Sequence, residues 1–172
     1  MDVINKNNLE SAPYSNLIEI IDDRSIVQDP RDKGGFRKRT FVYDADPLAK
    51  SFNFGDFPYI VVNFPSLNSE SVSTNGKNKT LNWNVDITVR SARDGAGQGT
   101  TNTGSADLFS IGNTLFSVFN SVTQRQKFID VNMSFMNLTK TDSQPITIDN
   151  KQLYEANYTL TFSTRLEISE WP

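Results

Sequence analysis

Two long segments in which apolar and polar residues alternate constrain the fold of this chain more than any other feature. From Leu81 to Arg90 the odd positions are apolar and the even positions are polar. From Tyr154 to Ile168 the even positions carry most of the apolar residues. Successive side chains of a strand point to opposite faces of its sheet, so this period predicts strands with one buried and one wet face. Such a sheet needs an apolar cover on one side only.

An amphipathic helix between the two segments is predicted to supply that cover. It is expected to begin near Ser105 as N-cap and to end near Arg125 and Lys127, whose charges suit a helix C-terminus. Apolar residues recur along it at steps of three and four: Leu108, Ile111, Leu115, Val118, Phe119 and Val122, widened by Phe109 and Phe116.

The remaining segments complete an α+β pattern. A short helix is expected after Asn16, preceded by a polar N-terminal arm at residues 1–14. Further strands are expected at 41–43, 57–64 and 131–138, with a loop at 66–80 and a loop or an irregular edge segment at 139–151. The order predicts one domain over residues 1–172: a mainly antiparallel sheet with an N-terminal helix and a central amphipathic helix packed on one face.

The residue types that most enzymes use at neutral pH are missing. The chain has no histidine and no cysteine, which removes the usual general base, the commonest metal ligand and the thiolate nucleophile. The carboxylate pairs Asp22-Asp23 and Asp44-x-Asp46 lack the further alternating ligands of a calcium loop. The sequence therefore predicts a structural protein with no catalytic residue, no metal and no cofactor.

Charge and hydropathy exclude two classes of partner. No apolar run approaches the length of about 20 residues that a membrane-spanning helix needs, so no membrane contact is expected. The formal net charge is −3. The chain therefore lacks the overall positive field of a protein that binds nucleic acid tightly.

Two polar stretches and one aromatic residue are candidates for contacts between subunits. Five cations fall within nine residues, and they could contact an acidic surface or simply be solvated: Arg31, Lys33, Arg37, Lys38 and Arg39. Residues 94–104 form a glycine-rich flexible loop with Gly95, Gly97 and Gly99 but without the lysine of a phosphate-binding loop. This loop is either a connector or a segment that becomes ordered against a partner. Trp171, near the end of the sequence, is expected to pack on a neighbouring subunit.

The wet faces of the two alternating strands are mostly uncharged. They carry Asn82, Asn84 and Thr88 on the first strand and Asn157, Thr159, Thr161 and Ser163 on the second. One interpretation is an ordinary solvated sheet face. The other is a surface that stays wet while a charged molecule passes.

The order of these patterns resembles the tail terminator, or tail-to-head joining, proteins of long-tailed phages. The likeness spans roughly residues 15–168 and rests on four segments: Phe57–Phe64, Trp83–Val89, Asp107–Leu115 and Tyr154–Phe162. The segment 31–56 and the final Trp171-Pro172 have no counterpart in it. Proteins of this family form hexameric rings that cap the tail tube and join it to the head connector, and DNA passes through the ring.

The resemblance implies a homo-hexamer at the tail–head junction of the virion, assembled in the host cytoplasm. Its implied partners are the tail tube protein, the head–tail connector protein and DNA that passes without specific binding. Because a channel rich in Lys and Arg would hold DNA, an uncharged or acidic lining is expected. The candidates for it are Asn82, Asn84, Asp86, Asn157, Thr159 and Thr161. A neck, tube or baseplate subunit and a stand-alone ligand-binding domain or small enzyme remain the alternatives.

Overall fold

The computed structural model describes residues 1–5, 7–24, 40–47, 57–73, 76–92, 104–148 and 151–167. Within these ranges the helices are α1 (Ser11–Arg24), α2 (Ser105–Asn120) and α3 (Val122–Ile129). The strands are β1 (Phe41–Tyr43), β2 (Tyr59–Val62), β3 (Ser66–Val72), β4 (Asn78–Ala92), β5 (Met133–Ile148) and β6 (Lys151–Glu167).

The strands form one sheet in the order β1-β2-β4-β6-β5, with β3 following β2 along the same side of β4. All pairings are antiparallel except that of β1 with β2. Strands β4 and β6 pair without a register shift from Asn78 opposite Glu167 to Ala92 opposite Leu153. The predicted α+β fold with a mainly antiparallel sheet is confirmed.

The main core lies between the helices and one face of this sheet, as the alternation predicts. The odd positions of β4 from Leu81 to Val89 are buried, and Trp83 stacks on Phe162 of β6 with ring centroids 6.5 Å apart. Phe119 of α2 is fully buried. A Cβ atom at Gly112 would run into the Tyr158 hydroxyl, so only glycine lets α2 lie this close to the sheet.

A second, smaller apolar cluster lies on the opposite face at one end of the sheet. Its buried members are Phe57, Tyr59, Val61, Ala92 and Leu153. Strand β2 is buried on both faces because Ile60 and Val62 join the main core while Tyr59 and Val61 join the second cluster.

The start of α1 differs from the prediction. The helix begins at Ser11, and Pro13 fits its first turn because the N–H that proline lacks would have no partner there. Asn16 lies inside the helix, where its amide accepts from the Asp2 N–H at 2.6 Å and donates to the Asp2 carbonyl at 2.8 Å. Ile4 is also buried, so the segment predicted as a polar arm is anchored to the core.

The central helix is broken where the sequence predicted continuity. Gly104, at φ 63°, occupies the N-cap position assigned to Ser105. Helix α2 ends at Asn120, and Ser121 is extended before α3 begins. Arg125 and Lys127 therefore belong to α3. The break turns Val122 out of the apolar stripe, and it is 83% exposed. Phe109 does not widen the buried stripe either, because its side chain is exposed on the surface of α2.

The 66–80 segment, predicted as a loop, contains β3. The 139–151 segment, predicted as a loop or an irregular edge segment, contains the second half of the edge strand β5. Both strands lie at sheet edges and are largely exposed, so neither needs the alternation that marks a half-buried strand. Strand β5 shifts register at Phe135/Asn137 and at Lys140/Asp142, and it accommodates Pro145 because edge strands tolerate proline.

Candidate functional site

Rows of short polar side chains cover the sheet face that is turned away from the helices. The register places four residues of β4 opposite four of β6: Asn82 with Ser163, Asn84 with Thr161, Asp86 with Thr159, and Thr88 with Asn157. We call these eight residues the polar ladder. All the residues predicted from sequence to line a channel lie in it.

The threonine hydroxyls of the polar ladder are used within the sheet. They cross from strand to strand: Thr159 Oγ1 to Asp86 Oδ1 at 2.9 Å, Thr161 Oγ1 to Asn84 Oδ1 at 3.3 Å, and Thr88 Oγ1 to Asn157 Oδ1 at 2.8 Å. The amide of Asn82 donates to Ser69 Oγ of β3 at 2.9 Å. The amide of Asn157 donates to Glu155 Oε1 at 3.0 Å. The hydroxyls are thus satisfied internally, while each asparagine amide keeps at least one N–H for water.

One end of the polar ladder continues into a charged group that we call the arginine cluster: Asp46, Tyr59, Arg90 and Glu155. Arg90 Nε donates to Glu155 Oε2 at 2.6 Å, and Nη1 donates to Asp46 Oδ2 and, at 3.2 Å, to the Tyr59 hydroxyl. The Tyr59 hydroxyl in turn donates to Asp46 Oδ1 at 3.2 Å. These contacts hold the segment that follows β1 against the sheet.

The arginine cluster is largely removed from water. The side chains of Arg90 and Glu155 are 15% and 11% exposed. Burial alone would lower the pKa of Arg90, but its hydrogen bonds to Asp46, Tyr59 and Glu155 outweigh burial and raise that pKa. The guanidinium therefore stays charged, and two carboxylates offset its charge.

Sequence reasoning missed this cluster. Arg90 was one polar position among several on a wet strand face, and Asp46 was one half of an isolated carboxylate pair. The cluster forms only because the register brings Arg90 between Tyr59 of β2 and Glu155 of β6. No local sequence signal encodes that register.

The described side chains on the ladder side of β4 and β6 carry more anions than cations. The cations are Arg90 and Arg165, and the anions are Asp86, Glu155 and Glu167. Arg90 is already paired with two carboxylates. The neutral or acidic channel lining stays a prediction.

The other candidate residues lie outside the part of the chain that the structure describes. These are Arg31, Lys33, Arg37, Lys38, Arg39, Gly95, Gly97, Gly99 and Trp171. Their assignment to subunit contacts stays a prediction.

Two further observations concern only the described ranges. No group of three or more Asp or Glu side chains in them is arranged to hold a metal ion. None of their helices is both long and apolar enough to cross a membrane.

Comparison with known proteins gives no family for this chain. No protein-family model matches it, and no curated protein matches it either. The resemblance to tail terminators therefore rests on the order and pattern of the elements. A function has to be argued from the structure itself, and we argue it from the polar ladder.

The buried tyrosines predict how stability depends on pH. Burial raises the pKa of Tyr59 and of Tyr158 above the ordinary value of 10.0, and it does the same for Tyr14, where the charge of Asp44 adds to the effect. Since the folded state favours the neutral phenol, this contribution to stability is complete below pH 10 and is lost as the pH rises through the folded-state values. Absorbance of tyrosinate, followed together with circular dichroism, is expected to show late ionisation that accompanies unfolding. Ionisation of all five tyrosines together at their ordinary pKa in the folded protein would contradict this.

Proposed function

We propose that this chain is a structural protein of a long-tailed phage virion that caps the tail tube and joins it to the head connector. Six copies form a ring, and DNA passes through the ring without specific binding. The observation that supports this proposal is the polar ladder, with short uncharged side chains, threonine hydroxyls that bond across the strands and no unpaired cation near its centre.

A channel for DNA must avoid holding the phosphate backbone. Proteins bind phosphates mainly through Lys and Arg, with release of counterions, and through N–H and O–H donors. The polar ladder offers no Lys or Arg, and the hydroxyls of Thr88, Thr159 and Thr161 already donate to neighbouring strands. Asp86 adds a negative charge near its centre. A lining of this kind keeps DNA hydrated and free to slide.

The two faces of the sheet also suit a ring wall. The helices cover the apolar face, while the ladder residues are half-buried or exposed. A wall needs one solvent-facing surface of short side chains that do not obstruct the channel, and Asn, Thr and Ser are short. In this proposal the ladder faces the channel and the helices lie towards the outside.

The partners follow from that position. The ring contacts the tail tube protein on one side and the head–tail connector protein on the other, at the tail–head junction. The same ladder would serve a tube, neck or baseplate subunit, so position in the particle separates those roles from a terminator.

The mass of the purified chain and its place in a particle test the proposal. Native mass spectrometry is expected to give a hexamer, and cryo-EM of the intact particle is expected to show one ring between tube and connector. A ring found elsewhere in the tail would assign the chain to a different virion subunit. A chain that stays monomeric at every concentration would contradict the ring and favour a stand-alone binding domain.

Adding positive charge to the polar ladder is expected to make the ring retain DNA. The variant Asn84→Lys/Thr161→Lys should bind duplex DNA in a salt-sensitive manner, with a log–log salt slope steeper by about 0.9 for each phosphate neutralised. Fluorescence anisotropy of a labelled duplex measures this directly.

A matched control places the same charges on the helical side of the chain. Asn113 and Ser117 are exposed on α2, so Asn113→Lys/Ser117→Lys adds equal charge away from the proposed channel. Its binding should stay close to that of the wild type. Equal DNA binding by both variants would mean that the ladder does not line the channel.

A further inference from the structure

Two small surface patches, each with an exposed phenylalanine and a charged residue, lie at opposite edges of the sheet, both on its helical side. The first, which we call the basic patch, consists of Phe109 and Lys140. Phe109 of α2 is 60% exposed, and the ammonium of Lys140 lies 5.6 Å from the centre of its ring. Lys140 pairs with Tyr158, whose side chain belongs to the main core, so Lys140 points to the helical side of β5.

The second, which we call the acidic patch, consists of Asp44, Phe64 and Leu67. Phe64 and Leu67 are 71% and 51% exposed, beside β2 and on β3. The ring of Phe64 stacks on Tyr14 of α1 with centroids 4.4 Å apart, which places it on the helical side.

Asp44 is exposed and directly follows Tyr43, which pairs with Val61 of β2. The Tyr14 hydroxyl donates to the carbonyl of the next residue, Val62, at 3.0 Å, so Asp44 lies near Tyr14. Burial and the charge of Asp44 both raise the pKa of that tyrosine.

The two patches carry opposite charges, Lys140 in one and Asp44 in the other. Each also has an exposed phenylalanine. Aromatic residues are enriched in protein–protein contacts, whose rims are polar. Opposite charges across such a contact favour the correct partner and disfavour pairing of like patches.

We propose that Phe109 and Lys140 of one copy dock onto Asp44, Phe64 and Leu67 of a second copy. Because each copy carries one patch of each kind, the contact is head-to-tail, and it repeats from copy to copy until a ring closes. The patches lie on the helical side, so docking leaves the polar ladder uncovered. This inference rests on the proposed ring and names the surfaces that build it.

A charge swap tests the contact. Lys140→Glu and Asp44→Lys, made separately, each place like charges across it and are expected to weaken assembly at least about tenfold. The double variant Lys140→Glu/Asp44→Lys restores opposite charges and should recover assembly. Sedimentation velocity over a range of concentrations measures all three, and circular dichroism verifies that they are folded.

Two additional variants sharpen the test. Lys127→Glu makes the same charge change at an exposed position of α3 and should assemble like the wild type. Phe109→Ser should weaken assembly without a compensating partner. If both single charge variants assemble normally while the wild type forms rings, this contact is wrong but the ring stands. If the wild type forms no ring at all, the contact fails together with the proposed function.

Discussion

Replacing Phe119 with Ala is expected to lower the free energy of unfolding by about 3–5 kcal/mol, the usual loss for a buried Phe. Phe119 is fully buried where α2, α3 and β5 meet, and its ring stacks on Phe128 and Phe135 with centroids 6.0 and 5.5 Å away. Three elements fix the walls of the resulting cavity, so it cannot collapse easily. Denaturant unfolding followed by circular dichroism measures the loss, with both proteins at one concentration because assembly would add stability.

The same helix supplies the control. Phe109→Ala removes an equal number of atoms from a side chain that is 60% exposed. Because Phe109 belongs to the proposed contact between copies, this variant and the wild type are compared at a concentration at which both are monomeric. Its cost should stay below about 1 kcal/mol, as for most surface substitutions and a lost exposed cation–π contact. Equal losses in the two variants would show that the assignment of buried and exposed faces on α2 is wrong.

Replacing Arg90 with Met is expected to cost about 3 kcal/mol, because it leaves partly buried carboxylates without their cation. Methionine keeps most of the aliphatic length of arginine, so the loss reports mainly on the charge and its hydrogen bonds. Asp46 and Glu155 would then lose the positive group that lies between them. Denaturant unfolding at neutral pH measures the effect.

An ion pair at the sheet edge provides the comparison. Lys79 Nζ lies 2.7 Å from Glu70 Oε2, but the glutamate side chain is 57% exposed. Lys79→Met should therefore cost less than about 1 kcal/mol, as is usual for exposed pairs. If Arg90→Met were no more damaging than Lys79→Met, the arginine cluster would not stabilise the fold as its burial indicates.

The sequence predicted the strands that have one face in the core and the other face in solvent. Strands β4 and β6 each separate core from solvent, so their alternation assigns Trp83 and Phe162 to the core and the ladder residues to the other side. The residues proposed to line a channel therefore lie on the sheet face opposite the main core, as the alternation predicts. Its role in a channel stays a prediction.

The missed features depend on contacts that no local pattern records. Strands β3 and β5 lie at edges, where exposure on both sides removes the alternation. The arginine cluster depends on the register of β2, β4 and β6, which places Arg90 among residues distant in the sequence. The break at Ser121 lies within an otherwise regular apolar period, so the period alone could not reveal it.

The irregular course of β5 has a consequence for the chain before assembly. An edge strand of 16 residues would ordinarily invite strands of other copies to add to it and grow into fibres. Two register shifts, the missing N–H of Pro145 and the charge of Lys140 interrupt that edge. These interruptions make the outer edge of β5 a poor template for the addition of further strands.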